Sequence, residues 1–188
     1  MHCKRKYMFM KTRTTGVLRV LHVISWIVFL GLCVQTGAML YSSLVSLFIN
    51  PEGARNVYMR LDLSALRAYS VARFGVLLAF MIVMSGLKAY MFYYIIRLFL
   101  KANLAHPFSE QVGAIIVTLG YLNLAAGIIG MAANVYFDSL VNKGISIAGA
   151  YRYLSGGGEF LFLAAVVFVI SQVFRRGLEL QTENELTV

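Results

Sequence analysis

Four long apolar runs, near residues 19–48, 74–100, 112–137 and 158–174, are separated by short polar and charged segments. A bilayer core about 30 Å thick is crossed by roughly 20 residues of helix, so each run predicts one transmembrane helix. The fourth run is the shortest, and its outer end is placed within the Ser155-Gly156-Gly157-Gly158 turn. The predicted fold is all-α: one integral membrane bundle of four helices over residues 1–188, with a cytoplasmic tail at 175–188.

The third run has an internal pattern. Gly113, Gly120 and Gly127 recur every seven residues and lead on to Asn134, while Asn123 and Gly130 each follow one of those glycines by three. Spacings of three and seven put all six on one helix face. In lipid, small residues let two helix backbones approach and Asn side chains can hydrogen-bond across the contact, so this face is expected to be the packing spine. A pore lined by Asn123 and Asn134 is the functional alternative.

The second run holds an ionisable residue, Lys88, about 14 Å from Arg97 and about 22 Å from Arg73 at the helical rise of 1.5 Å per residue. A charge at that depth is costly. It either snorkels to headgroups near Tyr90, Tyr93 and Tyr94 or finds a polar partner inside the protein, at the depth of Asn123. Helical side chains lean toward their own N-terminus, which here is away from the nearer surface. Met81, Met84 and Met91 share its face, as an adaptable interior would.

Composition agrees with lipid as the solvent: 60% of the 188 residues are hydrophobic and 13% are charged, against about a quarter charged in soluble domains. The net charge of +9 lies in short clusters between the runs, so it reads as a topology signal and not as a nucleic-acid surface. Ten Lys and Arg residues (six N-terminal ones through Arg19, plus Arg97, Lys101, Arg175 and Arg176) face six on the other side (Arg55, Arg60, Arg67, Arg73, Lys143 and Arg152). The richer side is normally cytoplasmic, which predicts both termini in the cytoplasm. Leu30-Gly31-Leu32-Cys33 faintly resembles a lipoprotein cleavage box, but bulky Leu32 and the apolar stretch beyond Cys33 argue against cleavage.

No HExxH, GxSxG or phosphate-cradling glycine loop is present, and His2, His22 and His106 are scattered. Cys3 and Cys33 fall at different depths, so neither a disulfide nor a metal framework follows. No cofactor and no enzymatic activity are expected.

The first outer loop, about 49–73, opens on an Asn50-Pro51 turn and mixes aliphatic with charged residues. It suits either a short helix on the membrane surface or a cap over the bundle. The inner loop contains Leu104, Pro107 and Phe108, with Ser109 placed to cap the next helix. The tail carries Leu178, Leu180, Glu183, Glu185 and Leu186. An inner loop needs only a few polar residues to reverse direction, so these apolar groups form a candidate docking surface for a soluble partner. The rival reading packs them on the underside of the bundle.

Three segments, Asn103-Leu104 with Pro107-Phe108-Ser109-Glu110, Phe174 to Gln181, and Glu183-Asn184-Glu185-Leu186-Thr187-Val188, resemble an uncharacterised bacterial family of four-helix membrane proteins, domain of unknown function 2975. Leu61-Asp62-Leu63 is a weaker point of similarity. The resemblance implies a multi-pass protein of the bacterial cytoplasmic (inner) membrane and brings no catalytic or ligand residues. It also implies proximity to a small helix-turn-helix regulator. The expected function is therefore a regulatory or sensor subunit that docks a soluble cytoplasmic partner, such as that regulator, without binding nucleic acid itself. A small transporter or channel subunit using Lys88 and the Asn123 face is the alternative, and would require an oligomer or a narrow gap.

Overall fold

A computed structural model describes residues 2–101 and 108–186. Among these the secondary structure is entirely helical: α1 (His2–Leu44), α2 (Ser64–Tyr69), α3 (Val71–Lys101), α4 (Glu110–Val141), α5 (Tyr151–Leu154) and α6 (Gly157–Leu186), with a π turn at Val45–Ile49 and 3-10 turns at Pro51–Asn56 and Ala148–Ala150. Four helices are long and apolar enough to cross a membrane. They correspond to the four apolar runs and extend beyond them, because hydropathy marks only the part in lipid while helix formation continues past it. At α6 the predicted tail is itself helical, to Leu186.

Neighbours in sequence are neighbours in space: α1 packs on α3, α3 on α4, and α4 most extensively on α6. The two middle helices are the most enclosed. In the apolar window of α3, 44% of residues are buried against the rest of the protein, compared with 6% for α1. The exposed sides of α1, including Val20, Ile27, Leu30 and Val34, form the surface that lipid would cover.

The main core lies at one end, hereafter the cap end. Segment 50–69 and segment 142–156 fold over the helix tops there, burying Leu61, Leu63, Leu66, Ile147 and Leu154 against Phe74, Leu77 and Leu140. The local chemistry explains the path. Asn50 breaks helix geometry and its Oδ1 accepts the Glu52 amide at 2.9 Å. Asn56 Oδ1 accepts the Arg60 amide at 3.0 Å, closing a turn in which Met59 and Arg60 take positive φ of 45° and 64°. Asp62 then accepts from the hydroxyl and the backbone N–H of Ser64, and those two bonds, the hydroxyl's first, hold its carboxyl below the ordinary carboxylate range. Of the two sequence expectations for the first outer loop, the cap describes this arrangement, since its leucines face protein and not a membrane surface.

Candidate functional site

The glycine face of α4 meets α6 along one antiparallel seam. Gly113 lies opposite Phe174, Gly120 opposite Phe168, Gly127 opposite Leu161 and Gly130 opposite Gly157, so each step up α4 is a step back along α6. A Cβ built on Gly120 would lie 2.8 Å from the Phe168 ring, and one on Gly127 would lie 2.5 Å from Leu161 Cδ2. The glycines are therefore the recesses into which the large α6 side chains fit. At Gly113 the fit is looser, 3.5 Å from Phe174. Asn134 lies outside the seam, because α6 starts at Gly157, opposite Gly130, and the register carries Asn134 beyond its end. Its Oδ1 is enclosed and without a partner among the described residues.

Asn123 is 4% exposed and does not bond across the contact as its position suggested. Its Nδ2 donates to the Leu119 carbonyl of its own helix at 2.8 Å, and its Oδ1 is left without a partner among the described residues. Lys88 is half-buried, with Nζ 5.8 Å from the centre of the Phe160 ring in the first turn of α6. That separation is near the outer limit of a cation–π contact, worth about 0.5–2 kcal/mol. The ammonium thus faces α6, and snorkelling toward the tyrosines is not what the structure shows. Tyr90, Tyr93 and Tyr94 instead cluster with one another, with the Arg97 guanidinium 5.8 and 5.6 Å from the rings of Tyr93 and Tyr94. No hydrogen bond joins Lys88 to Asn123.

At the opposite end of the molecule, the tail end, the Ser109 hydroxyl accepts the Val112 amide at 3.4 Å and caps α4. Phe108, for which the sequence offered either docking or packing on the underside of the bundle, is half-buried and packs there. Its ring lies 5.1 Å from that of Phe174, tilted by 55°, and fills the space over Gly177, where a Cβ would come within 2.6 Å of it. The packing has a simple cause: Gly177, without a side chain, leaves a recess on α6, and the Phe108 ring fills it. Beyond Gly177 the helix continues, with Arg175 and Arg176 both reaching Glu179, at 3.8 and 2.9 Å. Leu178 is half-buried, Leu180 is 49% exposed and Glu183 is exposed. Leu104 and Pro107 lie outside the described residues, as do the side chains of Glu185 and Leu186.

Sequence reasoning missed one interhelical pair in the apolar region. Thr36 Oγ1 and Ser85 Oγ are 2.8 Å apart and tie α1 to α3. Small hydroxylated residues within apolar runs were the available signal. Among the described residues, no three His, Cys, Asp or Glu side chains group around a potential metal position.

A family model described as a protein of unknown function (DUF2975) matches residues 49–188. Neither the curated proteins nor the solved structures contain a match.

Proposed function

This chain belongs to the DUF2975 family of proteins of unknown function, and from that premise we propose that it is a regulatory or sensor subunit of the bacterial cytoplasmic membrane, without enzymatic activity, which docks a soluble partner at its tail end. The observation that carries this reading is the continuity of α6. One unbroken helix runs from Gly157, beneath the cap, to Leu186 beyond the Arg175-Arg176 pair. The nine residues past Gly177 extend about 14 Å at helical rise and are already ordered, so a partner would not have to supply the entropy of folding them. Phe108 clamps the base of this extension, leaving its distal part, including half-exposed Leu180, as the docking element. In sequence the tail beyond Glu179 carries Glu183 and Glu185, whose charges complement a basic partner surface, such as that of a small helix-turn-helix regulator. Because α6 is also held along α4 by the glycine seam, a change at the cap end can reach the tail end as a rigid displacement of one helix.

Passage of a solute along Lys88 and Asn123 has less support, since Phe168 and Leu161 fill the recesses on either side of Asn123. Deleting Thr182 to Val188 tests docking. The truncated protein is expected to insert and keep its thermal midpoint in detergent while losing the soluble partner from crosslinked native membranes. A lowered midpoint with the partner retained would show instead that the segment serves only to stabilise the bundle.

A further inference from the structure

The cap contains a pocket of about 320 Å³ lined by Pro51, Glu52, Arg55, Ser64, Arg67, Ala68 and Val71. From its chemistry we infer that it binds a phosphate group, either on a small soluble ester or in a lipid headgroup. This inference does not depend on partner docking at the tail end.

Arg67 carries the argument. Its Nε is enclosed by the protein and has no hydrogen-bond partner, and its guanidinium forms no ion pair among the described residues. The enclosed Nε is out of a ligand's reach, so the pocket is served by the terminal nitrogens of a guanidinium whose charge no ion pair among the described residues offsets, and these present donors suited to an oxyanion. Ser64 lies one helical turn before Arg67 on α2 and also lines the pocket, but its hydroxyl already donates to Asp62, so the arginines are the donors that matter. Arg55 faces them from the 3-10 turn, held at the mouth by Glu52 with Nη1 to Oε2 at 3.0 Å. The lining therefore carries two guanidinium charges against one carboxylate. Donors arriving from two chain segments suit a tetrahedral phosphate, whose oxygens project in several directions, better than a planar carboxylate. The volume exceeds the needs of a bare ion. Pro51, Ala68 and Val71 supply an apolar wall for the carbon skeleton attached to the phosphate. Val71 is also the first residue of α3, so the site lies where a membrane helix begins and is accessible to both kinds of ligand.

The test is the thermal midpoint of the full-length protein in detergent. It is titrated with inorganic phosphate and glycerol 3-phosphate at matched ionic strength, and separately with phosphatidylglycerol against a glucosyl diacylglycerol that lacks phosphate. The midpoint is expected to rise with at least one phosphate-bearing probe, with Arg67→Gln requiring roughly tenfold or more of that probe for the same rise. Arg60→Gln removes the same charge from the same loop outside the pocket and should respond as wild type. A response to the soluble esters identifies a free phosphate compound, and a response to phosphatidylglycerol alone identifies a headgroup. If Arg67→Gln does not fold, Arg55→Gln at the exposed mouth is read in the same way. No rise with any phosphate probe, or an unchanged response in the folded arginine variant, would overturn the inference.

Discussion

Replacing Gly157 by leucine is expected to prevent α4 and α6 from assembling, and even Gly157→Ala should cost about 1–3 kcal/mol as an overpacked contact. A Cβ at this position would lie 2.7 Å from the Met131 amide nitrogen and 3.0 Å from the Gly130 carbonyl carbon. Both are backbone atoms, so no rotamer change can relieve the overlap. This distinguishes Gly157 from Gly120, where the nearest atoms belong to the Phe168 ring and can swing aside. Gly75→Ala is the control, since a Cβ there meets nothing within 4 Å, and the better helix former should leave stability unchanged or raise it by up to about 1 kcal/mol. The readout is the thermal midpoint in detergent. A folded Gly157→Leu protein with the wild-type midpoint would remove the seam from the account.

Leu66→Ala should cost about 2–5 kcal/mol, the range for emptying a fully buried leucine position. Leu66 is 0% exposed and packs within the cap core with Leu63, Phe74 and Leu140. The magnitude depends on which solvent the cap would otherwise meet. Between lipid-embedded helices, apolar burial gains little because lipid is itself apolar. Segments 50–69 and 142–156 join the ends of membrane helices, where water competes for their leucines and the ordinary hydrophobic term applies. Phe48, 80% exposed at the end of the π turn, is the matched control, and Phe48→Ala should leave the midpoint unchanged. Equal effects of the two substitutions would mean that the cap is not a core.

The helices were legible in the sequence because a membrane span needs only length and hydropathy, and the glycine face because a seven-residue repeat is visible without a partner. The depth at which α6 begins was not legible in the same way. Hydropathy placed its start near Gly158, but only the approach of Gly157 to Gly130 shows that it begins below the top of α4 and leaves Asn134 beyond its reach. The choice between docking and underside packing for Phe108 was open for a related reason. An aromatic residue in a short loop reads as exposed unless the recess over Gly177, 69 residues later in the chain, is known. The lean of Lys88 followed from helix geometry alone, whereas its contact with Phe160 required the register of α6. The cap resisted reading because its apolar positions follow turn geometry set by Asn50, Asn56 and Asp62 and have neither a helical nor a strand period.

Docking at the tail end requires that the cap end face outward while the α6 extension lies in the cytoplasm. The most direct measurement replaces Cys3 and Cys33, introduces single cysteines at Asn56, Ser109, Asn142 and Thr187, and exposes intact cells to a membrane-impermeant thiol reagent. The ten-to-six asymmetry of basic residues predicts labelling at positions 56 and 142 in intact cells, and at 109 and 187 only after permeabilisation. Labelling of position 187 in intact cells, with 56 and 142 protected, would place the α6 extension on the wrong side of the membrane and contradict the proposed docking.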